Sequence, residues 1–184
     1  MRLPMVYFFI AEGFEEIEAL CPLDLLRRAG VEVKTVGIGG NKITGAHGIT
    51  VMTDISDAEF SYDAPEMIFL PGGMPGTLNL EASDVVKCAI ERANADGAYI
   101  FAICAAPMIL GERGLLVGKE AICYPGFEES LRGAQISKKS VVLDGRIATA
   151  KGMGVALEFG LLAVSVLCGE ETAQKLRSAV IADR

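Results

Sequence analysis

The sequence predicts an α/β fold: a mostly parallel sheet with helices on both faces, formed as one domain over residues 1–184. Two observations carry this. Short apolar runs, suited to strands buried on both faces, alternate with longer segments of helical pattern. The chain also contains no repeat, linker or low-complexity stretch that would divide it. Ligands of such sheets bind beyond the C-terminal ends of the strands.

The first strand is Met5-Val-Tyr-Phe-Phe-Ile-Ala11, and Glu12-Gly13-Phe14 turns the chain. A helix follows over 15–29. Glu15, Glu16 and Glu18 lie in its first turn, where acids suit the dipole, Arg27 and Arg28 lie in its last, and Gly30 is a good cap. Pro22 removes one hydrogen bond inside this helix and predicts a kink. A second strand, 31–36, alternates Val31, Val33 and Thr35 against Glu32 and Lys34. The glycines of Gly37-Ile-Gly-Gly40 are followed by no helix, so the dinucleotide fingerprint fails. Residues 42–54 read as a hairpin or edge excursion and hold the only histidine, His47.

Met67-Ile-Phe-Leu70 is a third buried strand and ends in Pro71-Gly72-Gly73-Met74-Pro75-Gly76. A helix is predicted over 83–95, a strand over Tyr99–Ile103 and a helix over 106–113 with Pro107 in its first turn. Residues 121–124 and 141–143 read as short strands. Asp144-Gly145 turns the chain into Ile147-Ala-Thr-Ala150. Gly152-Met-Gly154 opens a long helix to Cys168, and 170–181 forms the last.

Cys104 stands between a buried strand and a helix start. Backbone N–H groups aimed at its sulfur and the positive end of the helix favour thiolate, and the tight turn can hold it in a strained, exposed pose. The alternative is a packing cysteine of an α/β core, the role expected of Cys21, Cys88, Cys123 and Cys168. Phe14 to Glu18, Pro71 to Gly76 and Cys104 all fall at C-terminal strand ends, which favours the nucleophile.

The charge balance, 17 basic against 24 acidic residues, gives −7 and argues against a grip on nucleic-acid phosphates. No signal-peptide pattern and no span long enough for a bilayer is present, so a cytoplasmic protein without membrane attachment is expected. Five widely spaced cysteines with no CxxC pair suggest neither a zinc site nor a disulfide framework, and no motif calls for a metal or cofactor.

Four collinear stretches resemble the ThiJ/PfpI superfamily, in the branch of the parkinsonism-associated DJ protein. They are Gly13-Phe-Glu-Glu-Ile-Glu18 with Pro22-Leu-Asp-Leu-Leu-Arg-Arg-Ala-Gly30, Leu70-Pro-Gly-Gly73, Ala102-Ile-Cys-Ala-Ala-Pro107, and Lys151-Gly-Met-Gly154 running into Glu158-Phe-Gly160. The resemblance implies a flavodoxin-like, doubly wound sandwich and a homodimer. It implies that Cys104 is the reactive thiolate, that Glu18 shares a hydrogen bond with it, and that Gly72 and Gly73 line the pocket, one of them giving an N–H near the sulfur. Ala105 joins Gly72 and Gly73 as a candidate oxyanion or pocket residue, and Glu15, His47 and Tyr124 are further pocket candidates, His47 falling where the family often has a polar residue near the partner's pocket. The chain also departs from the family. Ala105 replaces the histidine that follows the cysteine in peptidase members, which argues against a peptidase or amidotransferase. Tyr124 stands where this branch often has histidine, and Met153 and Val155 where it has proline and threonine.

An ionised Glu18 beside Cys104 would oppose a thiolate, so the pair works only with a protonated, buried Glu18; Glu15 and Glu16 suit a solvated helix start better. The expected activity is a cofactor-independent glyoxalase or deglycase acting on a small aldehyde or dicarbonyl, with Cys104 as nucleophile and Glu18 as proton carrier. The alternative is a non-catalytic oxidative-stress sensor or chaperone using the same cysteine. Thiazole-phosphate biosynthesis has no phosphate motif behind it.

Overall fold

The computed structural model describes residues 4–182. Its strands are β1 (Met5–Ala11), β2 (Glu32–Ile38), β3 (Lys42–Thr44), β4 (Thr50–Met52), β5 (Ile55–Ser56), β6 (Met67–Leu70), β7 (Tyr99–Ile103), β8 (Glu120–Ala121), β9 (Gln135–Ile136), β10 (Val141–Asp144) and β11 (Ile147–Ala150). Its α-helices are α1 (Glu16–Arg28), α2 (Gly76–Ala82), α3 (Asp84–Asp96), α4 (Pro107–Glu112), α5 (Ala156–Cys168) and α6 (Glu170–Ala179).

Seven strands form the central sheet in the order β10-β11-β7-β6-β1-β2-β5. All neighbours run parallel except the β10–β11 hairpin. This is the mostly parallel, flavodoxin-like arrangement, and β1, β6 and β7 are buried almost throughout, as continuous apolar strands covered on both faces must be. Side chains alternate along β1. Tyr7 and Phe9 join α3 and α4 on one face, while Val6, Phe8 and Ile10 join α1 and α5 on the other. The stacked rings of Phe8 and Phe69, 4.1 Å apart, anchor the second face.

Pro22 lies inside α1 without ending it, and its backbone packs close to α5. A Cβ on Gly160 would sit 2.9 Å from the Pro22 Cα, so glycine is what lets the two helices meet. Residues 42–52 do form a hairpin, β3 with β4, outside the main sheet. The turn between β10 and β11 is Gly145-Arg146, one residue later than the sequence suggests. Three expectations need correction. A separate helix, α2, precedes the predicted one, because Ser83 ends α2 and caps α3 with its side chain on the Val86 N–H. Ile122 to Tyr124 is not strand. The Ile122 N–H donates to Thr149 Oγ1 and the Tyr124 N–H to the Cys104 carbonyl, which ties the segment to the site instead of to a ladder. The last long helix begins at Ala156 after a short 3₁₀ turn, not at Gly152.

Candidate active site

Cys104 follows the end of β7. Its N–H donates to the Ala150 carbonyl at 2.9 Å, which extends the β7–β11 pairing by one residue. It then takes φ +65°, a left-handed conformation uncommon for a residue with a Cβ. The strain is the one the sequence predicts, but the cysteine is half-buried in this turn and not the exposed group expected. Ala105 and Ala106 complete the turn, and α4 starts only at Pro107. The N–H groups of Ala105 and Gly73 point at the sulfur.

Glu18 reaches the same point from the first turn of α1. Its side chain is hydrogen-bonded to Cys104, and its Oε2 accepts from the Gly72 N–H at 3.0 Å. The Met153 N–H also serves this carboxyl. Gly72 therefore supplies its N–H to the carboxyl, and Gly73 supplies its own to the sulfur. A Cβ on Gly72 would lie 2.5 Å from both the Cys104 Cβ and Glu18 Oε2, so no other residue allows this approach. Gly73, at φ +94°, would press a Cβ against the Glu15 nitrogen.

The electrostatics of the pair differ from the expected low thiol pKa. Burial, then the negative charge of Glu18 and the hydrogen bond to it, push the Cys104 thiol up to about 12. Burial likewise pushes Glu18 up to about 7, against the lowering effect of its hydrogen bonds. The dipole argument fails because it leaves out desolvation and the carboxyl. The two values belong together: the pair readily carries one negative charge and resists a second. The sulfur holds that charge when the proton rests on Glu18.

Glu15 and Glu16 are not the solvated acids of a helix start. Glu15 caps α1, its Oε2 accepting from the Glu18 N–H at 2.7 Å and so fixing the turn that carries Glu18. Glu16 is only 3% exposed. It accepts from the His47 and Ile49 N–H groups and pairs with His47 Nδ1 at 2.8 Å, holding the β3–β4 loop on α1. Sequence reasoning missed this role; Gly45, where a Cβ would collide with the Glu16 carboxylate, is the trace it leaves. Glu15, Glu16 and His47 place donor atoms of the metal-binding kind within 4.8 Å of one another, with the Glu16 oxygens already engaged by the loop. His47 thus belongs to this clamp and not to the Cys104–Glu18 pair. Tyr124 lies at the rim of the pair, its ring against Gly152.

Among the described residues no helix is long and apolar enough to cross a membrane.

A family model described as the DJ-1/PfpI family matches residues 4–166. Protein dj-1beta of Drosophila melanogaster is 33% identical over 175 residues, 94% of either chain. A Caenorhabditis elegans protein named glutathione-independent glyoxalase DJR-1.2 is 30% identical over 167 residues, 90% of this chain and 89% of its own. The solved structure titled Toxoplasma gondii DJ-1, oxidized, superposes with a TM-score of 0.93 at 31% identity, covering 97% of this chain and 98% of that one.

Proposed function

The chain belongs to the DJ-1/PfpI family, and from that premise we propose that it is a cysteine-dependent glyoxalase or deglycase acting on small dicarbonyls or their early glycation adducts. One observation carries the reading: a buried carboxyl, Glu18, shares a hydrogen bond with Cys104 and is pushed up to about 7. Such a group can both give and take a proton near neutrality. The relative named as a glyoxalase supports the reaction class.

In the proposed reaction the pair reacts with its proton on Glu18 and its charge on sulfur: the Cys104 thiolate adds to the aldehyde carbon of methylglyoxal, forming a C–S bond as the carbonyl π bond breaks. The carbonyl oxygen takes the Glu18 proton and a hemithioacetal results. The Gly73 and Ala105 N–H groups, which point at the sulfur, favour its anionic form before the attack. The Glu18 carboxylate then removes the hydrogen from the former aldehyde carbon and returns a proton to the neighbouring carbon. One carbon is oxidised and the other reduced, leaving a thioester. Water cleaves it to lactate and restores the thiol. Nothing in these steps calls on a cofactor. Lactate formation by wild type, its loss in Cys104→Ser and a steep fall in Glu18→Gln are the expected results; a wild-type rate in Cys104→Ser would end the proposal.

A second reading uses the same geometry. Two N–H groups and a proton-bearing carboxyl around one sulfur would equally hold the oxygens of a sulfinate. Intact-mass spectrometry after mild peroxide tests it: a gain of two oxygens at Cys104 that dithiothreitol does not reverse is expected, and a reversible product would exclude it. We place the protein in the cytoplasm as a homodimer. Ile17 on α1 and Ile49 and Met52 on the adjoining hairpin are exposed apolar residues that such a contact would cover; sedimentation at low micromolar concentration checks it.

A further inference from the structure

A cavity of about 370 Å³ opens beside the reactive pair, lined by Tyr124, Pro125, Met153, Val155 and Lys151 among others. Cys104 and Glu18 do not line it, but two of the segments that do are tied to them. The Met153 N–H serves the Glu18 carboxyl. The Tyr124 N–H donates to the Cys104 carbonyl at 2.8 Å. Between them stands Gly152, also in the lining, where a Cβ would lie 3.8 Å from Glu18 Oε1 and 3.3 Å from the Tyr124 ring. Gly152 thus puts no side chain between Glu18 and the Tyr124 ring.

The cavity wall is mostly carbon. Tyr124 and Met153 are 51% and 52% exposed. Large apolar side chains that border a reactive site and face water gain from whatever covers them. The methyl group of methylglyoxal is too small to do so. An apolar space of about 150 Å³ already accepts a benzene ring, and this one is larger. Resting on the glyoxalase reading above, we infer that the site prefers α-oxoaldehydes carrying an aryl or branched alkyl group over methylglyoxal. The aldehyde carbon meets Cys104, and the substituent lies over Gly152 between Tyr124 and Met153. Met153 and Tyr124 are then specificity residues: they touch the substituent and leave the reacting carbons alone.

The test compares phenylglyoxal, followed as mandelate, with methylglyoxal, followed as lactate, in the full chain. For each protein the readout is the ratio of the two kcat/KM values. Wild type should favour phenylglyoxal by about tenfold or more, the scale on which a hydrophobic pocket discriminates. The two aldehydes differ in intrinsic reactivity, and that difference cancels when ratios are compared between proteins. Met153→Ser and Tyr124→Ser, both at exposed positions, should each lower the ratio severalfold, mainly through the phenylglyoxal KM. A wild-type preference for methylglyoxal, or a ratio that neither variant moves, overturns the inference and leaves the glyoxalase reading standing. Turnover of neither aldehyde overturns that reading, and the inference with it.

Discussion

Two glutamates in the first turn of α1, Glu16 and Glu18, are both almost wholly buried, at 3% and 1% exposure, yet their acidities move in opposite directions. Burial would raise Glu16, but the His47 ring and the N–H groups of His47 and Ile49 more than offset it, and its pKa is lowered. At Glu18 burial prevails, because its partners are a thiol and fewer donors, and the pKa rises to about 7. Two residues of separation part a hydrogen-bonded anion from a carboxyl whose pKa lies near neutrality. What decides the charge of these carboxyls is how deeply each is desolvated, and by which charged neighbours, weighed against the donors that other segments bring.

The largest effect that probes this contrast is removal of the thiol. Cys104→Ser should cut product formation by about a thousandfold or more, as expected when a nucleophile is lost, with melting temperature little changed and Glu16 unaffected. Glu18→Gln keeps a donor beside the sulfur and removes the proton. Activity should fall by about a hundredfold, within the usual span of general acid–base catalysis, and the pH profile should lose the limb near 7. This variant also tests stability. Below pH 4.5 the folded and unfolded chains both hold the Glu18 proton; between 4.5 and about 7 only the folded chain does. Stability therefore falls as pH rises through that window, by about 3 kcal/mol at about 1.4 kcal/mol per pH unit. Denaturant melts from pH 4.5 to 8 should show this fall in wild type and not in Glu18→Gln.

Gly72→Ala presses a methyl group between Cys104 and Glu18. It should cost about 1–3 kcal/mol, as overpacking does, and lower activity by parting the pair. The smallest effect is expected at the other glutamate. The His47 pKa is raised by its hydrogen bond to Glu16 and by that group's charge, so the stabilisation it gives is lost as pH rises through the raised value. His47→Ala should flatten a modest melting-temperature decline above pH 6.5 and leave the Glu18-dependent decline in place.

The contrast also marks what the sequence makes legible. Strands such as Met67–Leu70 and Tyr99–Ile103 are visible because continuous apolar runs have few other uses. Cys104 and Glu18 are visible because one follows a strand end and the other lies in the first helical turn after a strand, where the topology must gather them. The roles of Glu15 and Glu16 are not. The Glu16 clamp forms only when a loop 31 residues away folds back, and first-turn acids look alike until it does. The direction of the Cys104 shift was hidden for a related reason. A helix start is local and can be read from the chain, whereas desolvation by the packed strands and α1 is a property of the assembled molecule. Helix α2 escaped because seven residues ending at Ser83 carry no clear period of their own.

Titration of the glutamate side-chain carboxyls by carbon-13 NMR, with Glu16→Gln and Glu18→Gln to assign the two resonances, tests the central claim most directly. Glu18 should titrate near 7 and Glu16 below the ordinary 4.5. A Glu18 resonance that titrates at or below 4.5 would show a carboxylate beside Cys104 at neutral pH, and the proton-carrier account would be contradicted.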